Sequence, residues 1–236
     1  VNDSTPSALS YTSPNVFTRG TTITNLNPFV LGGTVINYSI SPNLPIGLSF
    51  NSLSGVISGT PVVISDETSY KIIAYNSGGA TSFDIQITVN DIAPNTLSYA
   101  SPNVFTKDIA ISNLAPIILG DIDYYSISPA LPLGLSFDTV SGVISGTPSV
   151  ISSSATYTVT ATNSGGSTSF GIVITVNDST PSALSYTSPN VFTKNVVIAP
   201  LSPSVSGGAV VNYSIAPALP SGLNFNTATG VISGTP

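Results

Sequence analysis

The chain carries ten acidic side chains against four basic ones, and their placement decides what chemistry is open to it. Two of the acids sit in a recurring setting. Asp91 and Asp178 each close a Val-Asn-Asp triplet, as Asp3 does near the start, and a proline follows three residues later at Pro94, Pro181 and Pro6. A calcium ion takes roughly six to eight oxygen ligands, several of them usually carboxylates. Asp91 and Asp178 are therefore the calcium candidates of the sequence, and weak ones, because each site supplies a single recurring carboxylate. Asp66-Glu67 is replaced by Ser153-Ser154 in the equivalent stretch, and Asp121 and Asp123 have no acidic counterparts. A turn capped by the Asn-Asp pair is the favoured reading, and no cofactor is expected.

Other chemistry is excluded more firmly. Histidine and cysteine are absent, which removes the commonest general base, thiolate metal sites and disulfides together. No pair of carboxylates recurs, and no serine has a histidine to activate it. The sequence therefore assigns no catalytic or cofactor-binding residue, and an enzyme is not expected. Tyr11, Tyr99 and Tyr186 could stack on sugars, but tyrosine at such strand ends is more often a packing residue with a bonded hydroxyl. Thr156, Thr158, Thr160 and Thr162 form a ladder whose counterparts are Ser69, Lys71, Ile73 and Tyr75. A binding face built by repetition would repeat, so the ladder reads as a solvated strand face. A net charge of −6 with four basic residues offers no footprint for nucleic acid or anionic lipid. No run of about 18 apolar residues is present, so membrane insertion is not expected in this segment.

The elements that must position these residues are repeated. Tyr38–Pro61 recurs almost letter for letter at Tyr125–Pro148 and Tyr213–Pro236, an interval that marks a tandem array. Units of this size can bury their own cores, unlike the short repeats of a solenoid. The repeat divides the chain into 1–91, with 1–7 a linker from a preceding repeat, then 92–178, then 179–236, which lacks its last two strands. The sequence reads as a segment of a longer, processed protein in which the array continues. Only 6% of residues are charged and 41% are hydrophobic, which suits an extracellular β protein and argues against disorder.

Within a unit, Leu9–Thr18 reads as a first strand broken at Pro14, and Thr21–Leu31 as a second strand region interrupted by Pro28. Ile36, Tyr38 and Ile40 alternate with polar neighbours, the period of a half-buried strand. Two prolines and a glycine then make an irregular corner that returns Leu44 and Leu48 to the core. Phe50 and Val56-Ile57 flank a turn. Tyr157, Val159 and Ala161, the Asn163–Gly166 turn, and Phe170, Ile172, Ile174 and Val176 spell a hairpin. The fold class is all-β, with tandem Ig-like β-sandwich domains of about seven strands each, arranged as beads on a string. The predicted core includes Tyr38, Leu48, Phe50, Ile57, Tyr70, Ile72, Phe83, Ile85 and Ile87.

The combination Y-S-I-S-P-x-L-P-x-G-L-S-F, G-V-I-S-G-T-P and A-x-N-S-G-G resembles the bacterial Ig-like tandem repeats, relatives of the dystroglycan-type cadherin-like domains. The match covers both full units and the truncated third. The Val-Asn-Asp linker is similar to the calcium linker of cadherins, with fewer acids. The resemblance implies tandem arrays in large secreted or surface-anchored bacterial proteins, adhesins included. The expected location is therefore extracellular, at the bacterial cell surface or secreted. The expected function is a structural segment of an extended surface fibre or adhesin stalk, serving adhesion or adhesion-based motility. Glycan- or protein-binding modules, or accessory repeats of a secreted enzyme, are the alternatives. Expected partners are further copies of the same repeat, self-associating into a fibre, and surface glycans or proteins. Ser4, Ser179 and Thr139 each follow an aspartate in a pattern resembling an O-glycosylation acceptor.

Overall fold

The alternating stretches become the longest strands of the protein, and everything else is arranged around them. The computed structural model describes residues 3–236 of the chain. In the first unit the strands are β1 (Pro6–Ser10), β2 (Asn15–Thr18), β3 (Phe29–Gly32), β4 (Asn37–Ser41), β5 (Leu48–Phe50), β6 (Ile57–Gly59), β7 (Ser65–Asn76) and β8 (Gly79–Asn90). The β7–β8 hairpin is the centre of a four-stranded sheet in the order β2-β8-β7-β4. β2 joins β8 in parallel, and β4 joins β7 antiparallel. The ribbons β1–β3 and β5–β6 make the opposing layer, with Leu26 bridging to Ile57.

Side chains at alternate positions of the hairpin point into the gap between the layers. Tyr70, Ile72 and Ala74 on β7 and Ile85, Ile87 and Val89 on β8 are buried, with Tyr70 opposite Ile85 and Ile72 opposite Phe83. Leu9 and Ile57 meet them from the other layer. Of the predicted core, Leu48, Phe50 and Phe83 pack at its margin, half-buried. The corner returns Leu44 and Leu48 to this core as the sequence suggested.

The second unit repeats the plan with β9 (Asn95–Ser98), β10 (Asn103–Thr106), β11 (Ile117–Leu119), β12 (Tyr124–Ser128), β13 (Leu135–Phe137), β14 (Ile144–Gly146), β15 (Ser152–Asn163) and β16 (Gly166–Asn177). Its sheet order is β10-β16-β15-β12. Each full unit has eight strands because Leu9–Thr18 and its counterpart divide at their prolines into two strands with different partners.

Two local expectations need correcting. Thr21–Leu31 is mostly irregular: β3 begins only at Phe29, after Pro28, which lacks an N–H to give a ladder. Ile36 lies before β4 and is 58% exposed, so the alternation that includes it overstates the strand by one residue.

The third unit contains β17 (Pro181–Ser185), β18 (Ser204–Gly207), β19 (Leu223–Phe225) and β20 (Ile232–Gly234). They form only the two ribbons β17–β18 and β19–β20, with Leu201 bridging to Ile232. Residues 190–193 and 212–216, which correspond to β2 and β4, are not strands.

Candidate functional site: the junction between units

The Val-Asn-Asp segment meets the tip of the long hairpin that follows it. Asn163 and Gly166 end the two strands there, and the turn between them comes close enough to touch the incoming chain. Any side chain at Gly165 would place its Cβ 2.1 Å from the Asp91 carbonyl oxygen, so only glycine permits the approach. The Asp91 N–H donates to Ser164 Oγ at 2.9 Å. Asn163 Nδ2 donates to the carbonyls of Ile92 and Asp121, each at 2.8 Å, while its own Oδ1 accepts from the Gly165 N–H. The first unit uses the same residues in the same way. Asp3 meets Ser77, and Asn76 Nδ2 reaches the Ser4 and Thr34 carbonyls.

Asp91 is buried at this meeting point, and its carboxylate has two partners. The Ile92 N–H donates to Oδ1 at 2.7 Å, and Arg19 Nη2, from the turn after β2, lies 2.9 Å from the same oxygen. The same guanidinium nitrogen is 2.6 Å from Asp121 Oδ2, on the loop after β11. Arg19 thus ties the exit of the first unit to the entry of the second. Its hydrogen bond to Asp121, and then the field of Asp91, hold the guanidinium above its ordinary range and fully charged.

Asp178, the other calcium candidate, is placed differently. Its Oδ1 accepts from the Ser179 N–H at 2.9 Å and its Oδ2 from the Ala209 N–H at 3.3 Å. Lys107, which stands where Arg19 stands in the first unit, lies 3.6 Å from Asp108 instead. Gly208 replaces Asp121, and a Cβ there would sit 1.7 Å from the Ser179 carbonyl oxygen. Among the described residues no three His, Cys, Asp or Glu side chains gather in a way that could hold a metal ion.

The remaining candidates fall as follows. Ser4 and Thr139 are exposed and Ser179 is half-buried. Tyr11 and Tyr99 are buried, and their hydroxyls donate to the Gly55 and Gly142 carbonyls at 2.7 Å, so neither ring offers a face to a sugar. Burial raises both hydroxyls well above the ordinary tyrosine range. Thr156 and Thr158 of the ladder are exposed, and Thr160 Oγ1 bonds Ser169 Oγ at 2.9 Å. The Arg19 clamp is absent from the sequence-level reading. The one available signal is that Arg19 is the single arginine of the chain, where the other copies have Lys107 and Lys194.

Residues 2–90, 86–177 and 177–236 each match the family model described as "Putative Ig domain". The chain belongs to that family. The three matches follow one another along the chain in step with the repeat. Among curated proteins it is similar to the "Serine-rich adhesin for platelets" of Staphylococcus aureus, 32% identical over 168 residues. That match covers 64% of this chain and 7% of the relative. The version from strain MRSA252 is 31% identical over 173 residues, covering 64% of this chain and 12% of that one. The chain therefore spans a small part of the curated relatives it matches. Among solved structures, an I-band fragment of titin aligns with 98% of the chain and 88% of its own length, at 16% identity and a TM-score of 0.41. Immunoglobulin domains 1-5 of Sidekick-1 align with 98% of this chain and 53% of theirs, at 14% identity and a TM-score of 0.46. The chain is thus a tandem array of Ig-like repeats, similar over part of its length to a segment of a bacterial adhesin.

Proposed function

We propose that this segment is a spacer in an extended bacterial cell-surface fibre or adhesin stalk, serving adhesion or adhesion-based motility. In this reading the units divide at 1–91, 92–178 and 179–236, and the kinship extends to dystroglycan-type cadherin-like domains. The observation that carries it is the course of the long hairpin. Its tip meets the linker entering the unit, and its far end, at Asn90 or Asn177, feeds the linker leaving it. Strands of 12 residues at a rise of about 3.3 Å make each hairpin about 40 Å long. A unit entered at one end and left at the other transmits length, and short linkers containing proline keep successive units extended.

The junction favours an ion pair and hydrogen bonds over calcium, because Arg19 already neutralises the carboxylates it touches. Calorimetry on the chain should show no tight calcium binding at Asp91 or Asp178. Self-association of arrays fits their low charge, since neighbouring surfaces repel weakly. Ser4, Thr139 and Ser179 remain the proposed glycan acceptors, and an unmodified intact mass of native material would remove them. The main test uses a complete array of several units in small-angle scattering. The maximum dimension should grow in proportion to unit number. A compact particle, with units folded back on one another, would sink the stalk reading.

A further inference from the structure

Three strands hold the same place in the three units, and their sequences differ on one face. β3 reads Phe-Val-Leu-Gly, β11 with the residue after it reads Ile-Ile-Leu-Gly, and β18 reads Ser-Val-Ser-Gly. Each belongs to a two-stranded ribbon, so among the described residues no strand pairs along its other edge. The middle residues Val30 and Ile118 pack against the cores of their units. Their neighbours face outward: Phe29, Leu31, Ile117 and Leu119 are between 53% and 74% exposed. The third unit keeps the same register with Ser204 and Ser206 at those positions. The fold therefore does not require apolar side chains there.

The backbone along this edge is open as well. The Gly33 N–H donates to the Thr5 carbonyl at 3.3 Å, so by alternation Leu31 turns its polar groups toward β1 and Val30 turns its N–H and C=O away. No bond to another described residue takes up either group of Val30. Ile118 is oriented alike, because Ile117 and Leu119 pair with β9 as Phe29 and Leu31 pair with β1. Open edges in native proteins are often blunted by charged side chains, above all lysine. Here residues 20–65 and 109–120 contain no charged side chain.

We infer that the open edges and outward faces of β3 and β11 pair with those of a second copy of this chain. This rests on the fibre reading and names the surface through which arrays associate. The occupant must be an extended strand, because a lipid or a small molecule would cover the side chains and leave Val30 without a backbone partner. It must also be uncharged and apolar on the matching face. β3 and β11 meet both requirements for each other. An antiparallel pair centred on Val30 and Ile118 sets Phe29 opposite Leu119 and Leu31 opposite Ile117, so apolar meets apolar at every outward position. One pair of strands this short falls well below the roughly 800 Å² per partner of a stable interface, so each contact is weak. Contacts repeated at the unit interval along two arrays act together, and a partner without that interval gains nothing from the repetition.

The test follows self-association of the 236-residue chain by sedimentation equilibrium at concentrations up to about 1 mM. The comparison variant carries Phe29→Ser, Leu31→Ser, Ile117→Ser and Leu119→Ser, the residue type that the third unit already accepts at these positions. The parent should associate reversibly, and the variant at least about tenfold more weakly, because four outward apolar side chains are lost. Hydrogen exchange at the Val30 and Ile118 amides should slow as the parent is concentrated and stay constant in the variant. Equal association of parent and variant places the contact elsewhere and overturns the inference. Association that weakens in the variant without slowed exchange at Val30 and Ile118 in the parent overturns the strand pairing. A parent that stays monomeric overturns it too, and leaves the face to a different partner. None of these outcomes bears on the stalk reading, whose test is the length of a complete array.

Discussion

Tyr11 shows how a single hydroxyl is fixed by the fold. Its ring packs in the core beside Phe83, and its O–H donates to the Gly55 carbonyl across the gap between β1 and the β5–β6 turn. Gly55 has a φ of +73°, and a Cβ there would meet the tyrosine oxygen at 2.8 Å, so the glycine admits both the turn and the bond. Replacing Tyr11 by Phe leaves a buried carbonyl without its partner. The expected loss is about 1–2 kcal/mol of unfolding free energy, read from denaturant curves. Tyr99→Phe should cost the same in the second unit, because the geometry is repeated. An unchanged midpoint for both would show that the bond adds nothing. A second residue-scale prediction concerns acid. Asp138 accepts the Val140 and Ser141 N–H groups at its turn, and the Ser141 bond above all holds its carboxyl below the ordinary range. A depressed native value means stabilisation fully present above the ordinary aspartate range and lost as pH falls through the native value. Asn51 and Asn226 accept the same bonds in the other units without titrating. Asp138→Asn should therefore flatten the acid limb of second-unit stability as pH falls through and below the ordinary aspartate range. An acid-unfolding profile identical to that of the parent would refute the assignment.

At the scale of elements, the long hairpin is where sequence and structure agree most closely. Alternation over a dozen residues, interrupted by Asn-Ser-Gly-Gly, leaves one register that buries Ile85, Ile87 and Val89 together. Ile85 is fully buried, so Ile85→Ala removes buried methyl groups and leaves a cavity. The expected cost is about 2–5 kcal/mol, confined to the first unit, with the second unfolding at its usual denaturant concentration. A small loss shared by both units would mean that the cores are coupled across the junction. The shorter elements were harder to read for a physical reason. Thr21–Leu31 has strand-like residues, but before Phe29 it meets β6 only at Ile23 and Leu26, and Ile36 has the right type one position before its strand begins. Residues 190–193 make the point most sharply, since the same letters are strand in two units and not in the third. Periodicity reports which face a segment could bury; whether the partner exists is a non-local fact.

The whole molecule depends on what happens between units, and there the sequence was least informative. Its candidates Asp91 and Asp178 do lie at the junctions, yet the group that holds Asp91 is Arg19, 72 residues earlier in the chain, with Asp121 completing the clamp. No local motif announces a contact of that span. The two junctions should consequently differ in stiffness. The first has the clamp of Arg19 on Asp91 and Asp121. The second has Lys107 beside Asp108, and Gly208 where no larger residue fits. The chain has no cysteine, so pairs can be introduced cleanly for spin labels at exposed Ser82 and Ser167 across the first junction, and Ser167 and Ser221 across the second. The distance distribution across the first should be the narrower. Arg19→Ala or Asp121→Asn should broaden it, and so should about 1 M salt, where the screening length falls to about 3 Å. The second junction should respond weakly to that salt. If Arg19→Ala leaves the first distribution unchanged, the hairpin tip alone sets the angle between units. The stiffness of a longer array would then follow from its Asn-Ser-Gly-Gly turns, which every complete unit here carries, rather than from a charge that only one junction has.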